Sequence, residues 1–151
     1  MSEFAKGTQV SAEKSRAEIE RILERYGATG FFYAAESGRV AIGFRAHERF
    51  VRFTLPLPMI EAFKRRPGSY RERSKSEQQA AYDQAIRQKW RCLVLAIKAK
   101  LEVVQSGIAS FEDEFLANIM TPDGQTVGDH VRPRIEEAYR TGASMPLLPP
   151  G

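Results

Sequence analysis

The chain has 151 residues, 42% of them apolar, one cysteine, two histidines and a formal net charge of +4. That size suits one globular core, and the counts exclude an intramolecular disulfide, a zinc finger or any Cys/His centre built within one chain. The charge is uneven: between Arg45 and Lys75 nine basic residues face three acidic ones, while the rest of the chain carries 14 basic and 16 acidic residues. One basic strip on a nearly neutral body is the electrostatic footprint of a polyanion binder.

Residues 1–10 carry neither an apolar signal core nor an Arg-rich amphipathic face and read as a flexible lead-in. The spacing of Ala12, Ile19, Ile22, Leu23 and Tyr26 predicts a helix, with Ser11 as its N-cap and Gly27 ending it in a left-handed conformation. Its other face mixes four acids and four bases, the pattern of a solvated surface. The period then changes from helical to two. Segments 31–36, 39–45 and 49–55 read as strands of an antiparallel meander, joined at Ser37-Gly38 and Ala46-His47-Glu48.

Alternation puts Val40, Ile42, Phe44, Val51, Phe53 and Leu55 on the core face. The opposite face presents Ala41, Gly43, Arg45, Phe50, Arg52 and Thr54. Small residues beside an aromatic and two arginines mark a place that something approaches closely, either a ligand or another part of the fold. Pro56 and Pro58 end the third strand, because proline cannot donate to a ladder.

Segment 64–75 holds Lys64, Arg65, Arg66, Arg71, Arg73 and Lys75 with a single acid, and it has no apolar period. Such a stretch buries too little to offset its ordering entropy, so a mobile basic loop is expected, with Tyr70 lacking a core to join. The capping box Ser74-Lys75-Ser76-Glu77 opens a long helix that closes near Ser106-Gly107. Tyr82, Ile86, Trp90, Leu93, Ile97, Leu101 and Val104 form its continuous apolar stripe, which places Trp90 in the core. Arg87, Arg91 and Lys98 fall within about 40° of one another on a helical wheel and are expected to extend the basic strip onto this helix.

Two shorter helices follow. Ser110 caps one with Phe111, Phe115, Leu116 and Ile119 apolar; Pro122-Asp123-Gly124 makes a turn; the last helix starts at 126–129, contains or begins at Pro133, and ends at Gly142. The whole is an α+β chain: N-terminal helix, three-stranded antiparallel meander, long central helix and two short C-terminal helices. It forms a single domain at 11–142, with an extended Pro-rich tail at 143–151.

No phosphate-binding glycine loop and no nucleophile elbow occurs. The acids Glu112, Asp113 and Glu114 have a sufficient reason to open a helix, where they complement its dipole, so no metal, cofactor or catalytic group is assigned. Cys92, inside the apolar run 90–97, reads as a packed thiol in a reducing, cytoplasmic setting, and no apolar run has the length of a bilayer span.

Arg-Gln-Lys-Trp-Arg at 87–91, Phe-Glu-Asp-Glu-Phe-Leu-Ala at 111–117 and Pro-Asp-Gly-Gln-Thr-Val-Gly at 122–128 resemble a family of small uncharacterised phage and prophage proteins. So do Arg-Tyr-Gly-Ala at 25–28 and Val-Arg-Phe-Thr-Leu-Pro-Leu-Pro at 51–58. The resemblance implies a mobile-element setting in a bacterial host cell and carries no activity with it. The order helix, meander, long helix is also similar to the core of single-strand annealing proteins, a likeness of fold and not of motif.

Together these features lead to an expected non-enzymatic binder of single-stranded DNA or another polyanion. Arg45, Arg49 and Arg52 are assigned to phosphates, the 64–75 loop to closing over the strand, Phe50 and Tyr70 to stacking on bases, and Arg87 and Arg91 to an extension of the strip. The rival expectation is a small accessory protein whose basic strip meets an acidic surface on a host or phage protein. Self-association into a homo-oligomer is left open by the sequence.

Overall fold

The computed structural model describes residue 5 and residues 7–144, and the expected element order is the observed one. Helix α1 spans Ala12–Tyr26; strands β1, β2 and β3 span Thr29–Glu36, Arg39–Ala46 and Arg49–Pro56. A 3₁₀ turn at Ile60–Phe63 precedes α2 at Lys75–Gln105, α3 at Phe111–Phe115 and α4 at Val127–Thr141. Lys75, counted above with the basic loop, is the first residue of α2.

Local chemistry sets the helix ends. Ser11 Oγ accepts the Lys14 N–H, and Gly27 closes α1 at φ 98°. Ser74 and Glu77 form the reciprocal capping box, and Thr126 with Asp129 forms a second one at α4. Pro133 lies inside α4, at its seventh position.

The sheet has the order β1-β2-β3, antiparallel throughout. Val40, Ile42, Phe44, Val51, Phe53 and Leu55 are buried against Ile19 and Leu23 of α1, Trp90, Leu93, Val94, Ile97 and Leu101 of α2, and Phe111 and Phe115 of α3. Helices α1, α2 and α3 therefore pack against one face of the sheet. Leu116, expected on the apolar side of its helix, is instead exposed. The hairpin between β2 and β3 turns on His47 and Glu48, both with positive φ (51° and 60°), so Ala46 belongs to the strand and the turn has two residues. His47 is held there by a hydrogen bond between its Nε2 and the Tyr26 hydroxyl (3.1 Å) and by the Phe111 ring at 4.6 Å.

Ahead of α1, Thr8 is tied to α2. Ala5 is buried, and the Thr8 carbonyl accepts a 2.9 Å hydrogen bond from Gln84 Nε2. The expected tail beyond residue 144 lies outside the described residues. Among the described residues, no helix is long and apolar enough to cross a membrane.

Candidate nucleic-acid interface

The second face of the sheet lies outside the buried core, and the start of α4 meets it at Arg52. Reading across the registered strands, its rows are Ala34–Ala41–Thr54, then Phe32–Gly43–Arg52, then Arg45–Phe50 at the hairpin end. What approaches Gly43 closely is a side chain of this sheet: a Cβ on Gly43 would sit 2.0 Å from Cε1 of Phe32. The Phe32 ring thus rests on the bare backbone of β2, and Gly43 is needed as its seat. Phe32 stays 36% exposed and Phe50 50% exposed. The Arg45 guanidinium stands 5.6 Å from the Phe50 ring centroid. Beside these rings is a hollow of about 190 Å³ lined by Ala34, Glu36, Arg39, Ala41, Arg52 and Thr54.

The basic residues assigned from sequence separate into three groups. Arg45 is on the open face and, among the described residues, has no carboxylate partner. Arg49 lies at the hairpin end with its Nη2 3.8 Å from Glu112, a loose and exposed pair. Arg52 is already engaged: it donates to the Gly124 carbonyl at 2.9 Å and to Asp129 Oδ2 at 3.2 Å. The Thr126 backbone N–H, then its hydroxyl, then Arg132 and Arg52 hold the Asp129 carboxyl below the usual carboxylate range. At neutral pH Arg52 therefore faces a charged partner and ties β3 to α4.

The second group is the 64–75 segment, which follows a closed path across its base. Arg65 and Glu72 form an isolated antiparallel bridge, and the Arg73 N–H donates to the Lys64 carbonyl at 2.7 Å. Arg73 Nη1 reaches the carbonyls of Phe63 and Arg65. Arg65 and Arg66 face Glu72 and Glu77 at 3.7 and 3.6 Å, both pairs exposed. Lys64, Arg71 and Lys75 have no carboxylate partner among the described residues, and Tyr70 is 95% exposed beside them. This segment adjoins the Pro56 end of β3 and the start of α2, whereas Arg45, Arg49 and Phe50 sit at the hairpin end. The seven residue steps of β3 between the two ends span about 23 Å.

The third group does not join the strip. Arg91 and Lys98 both contact Glu18 of α1, Lys98 at 2.9 Å, and their hydrogen bonds hold the Glu18 carboxyl below its ordinary range, Lys98 contributing most. Arg87 bonds to the Gln84 side-chain oxygen. These side chains belong to α2, which packs on the core face of the sheet, so the structure does not bring Arg87 and Arg91 together with Arg45 and Phe50. The C-terminal acids are likewise distributed among partners: Glu112 to Arg49, Glu114 to Lys100, Asp123 to Thr121 and His130, Asp129 to Arg52.

Phe32 is the residue that sequence reasoning missed. The register of β1 changes between Thr29 and Phe32, and this irregularity hides which way each side chain points. A signal was present in Gly43, since a glycine in mid-strand calls for a large side chain on a neighbouring strand. Comparison with protein-family models, with curated proteins and with solved structures finds no match to this chain.

Proposed function

We propose that this chain is a non-enzymatic nucleic-acid-binding protein of phage type that takes single-stranded DNA across the open face of its sheet, in replication or recombination. The observation that carries the reading is the pairing of two exposed rings, Phe32 and Phe50, with Arg45, which has no carboxylate partner among the described residues, on the face of the sheet outside the buried core. Aromatic rings offer every base a stacking surface, and an uncommitted guanidinium offers a phosphate a charge-assisted bond.

From the strand spacings the two rings lie between about 8 and 12 Å apart. Bases in a duplex are only about 3.4 Å apart, so Phe32 and Phe50 receive two unstacked bases, which a single strand supplies and a duplex withholds. The backbone then runs along β3 toward Lys64, Arg71, Lys75 and Tyr70. Arg49 contributes when it leaves Glu112, at little cost for so exposed a pair.

A second reading, a small accessory protein that binds a host protein, is favoured by one observation. Helix α4 has no buried residue, and Ile135 and Tyr139 stand 43% and 88% exposed along it.

Fluorescence anisotropy of a labelled oligothymidine across a salt series separates the two. The single-strand reading expects affinity to fall with salt at a logarithmic slope of roughly 0.7 per phosphate neutralised. Absence of binding at the low-salt end overturns it and leaves the protein partner.

A further inference from the structure

We infer that β1 is a self-pairing edge: two copies of the chain add their β1 strands antiparallel across a two-fold axis, making one continuous six-stranded sheet. The inference stands on the strand itself and does not depend on what the open face binds.

β1 is the outer strand of the sheet, so among the described residues one row of its backbone N–H and C=O groups has no strand opposite. The other edge is covered, because Val51 bridges Ile119 and the Phe50 carbonyl accepts the Met120 N–H at 2.7 Å. Of the eight residues Thr29–Glu36 all but Phe31 are exposed. The strand holds no lysine, arginine or proline, which are the residues that usually keep an edge from pairing, and its only charge is Glu36 at the end.

The occupant is a second copy because the strand complements itself. Residues 32–36 pair regularly with β2, and the centre of that stretch is Ala34. A two-fold axis through Ala34 sets the two smallest facing side chains together and permits close approach. It places Tyr33 opposite Ala35 of the other copy, large against small, and Phe32 opposite Glu36. The two Glu36 carboxylates then fall about 14 Å apart along the seam, so no like charges oppose. Because the axis is perpendicular to the sheet, both open faces point the same way, and Phe32, Arg45 and Phe50 of both copies line one surface.

Sedimentation velocity of the wild-type protein over a concentration series tests this together with Ala34→Lys and Ala34→Glu. Ala34 is exposed, so neither change removes packing. The wild type is expected to dimerise with rising concentration, and each variant to weaken the dimer at least tenfold, as like charges meet at the axis. An equimolar mixture of the two variants is expected to recover it. A wild type that stays monomeric, variants that still dimerise, or a mixture that stays monomeric overturns the inference. Amide hydrogen exchange gives a check that needs no variant: outward amides of residues 32–36 gain protection as wild-type concentration rises, and no such gain is equally fatal.

Discussion

Gly43→Ala is the substitution whose effect follows most directly from the packing of the open face. The added methyl would lie 2.0 Å from Cε1 and 2.1 Å from Cζ of Phe32, so the ring must leave its seat. Phe32 is 36% exposed, which leaves about two-thirds of its surface covered. For an aromatic side chain that is about 130 Å², and losing half of it at about 25 cal/mol per Å² costs about 1.6 kcal/mol. Alanine is better than glycine in a strand by about 0.5 to 1 kcal/mol, so the net loss is about 1 kcal/mol. In a Phe32→Ala background the clash is gone, and the same substitution should stabilise the protein. Urea denaturation of the four members of this double-mutant cycle reads the coupling, expected at about 1.6 kcal/mol with a change of sign between backgrounds. The same destabilisation in both backgrounds would refute the seating of Phe32 on Gly43.

Trp90→Ala should lower stability by about 3 to 5 kcal/mol, read by thermal melting, because the indole is buried between α2 and the sheet. Glu48→Gly should raise the melting temperature, by about 1 kcal/mol of stability, since Glu48 holds a left-handed φ of 60° that glycine adopts freely. Ser15→Ala should also stabilise, by about 1 kcal/mol in chemical denaturation, because the Ser15 hydroxyl is buried with no hydrogen-bond partner among the described residues. Lys98 first, then Arg91, depress the Glu18 carboxyl, so its share of stability is present above the ordinary carboxylate range near 4.3 and is lost as pH falls through the lower folded value. Wild type should therefore exceed Glu18→Gln in stability at neutral pH, with the gap closing in acid; a gap independent of pH contradicts the assignment.

Much of the fold is legible in the sequence because its determinants are local. Ser11, the Ser74–Glu77 box and Gly27 and Gly142 mark helix ends within a few residues of themselves, and strict alternation across 39–55 gives the core face of β2 and β3. The candidate site is less legible because the fate of an arginine depends on distant partners. Nothing near Arg52 announces Asp129, 77 positions on, and the helical wheel that groups Arg91 with Lys98 is silent about Glu18 on α1. Only packing separates the committed guanidiniums from Arg45. The 64–75 segment illustrates the same limit from the other side, since its lack of apolar period gives no hint of the Arg65–Glu72 bridge and the Arg73 bonds that close it.

Whether the open face takes single-stranded DNA, as proposed, is most directly read from amide chemical shifts as an oligothymidine is titrated into ¹⁵N-labelled protein at low salt. The expected shifts fall on Phe32, Gly43, Arg45 and Phe50, extend to Tyr70 and Arg71, and leave Glu18, Arg91 and Lys98 in place. Shifts centred on α1 and α2, or on α4, with the open face unmoved, would contradict single-strand binding on the sheet.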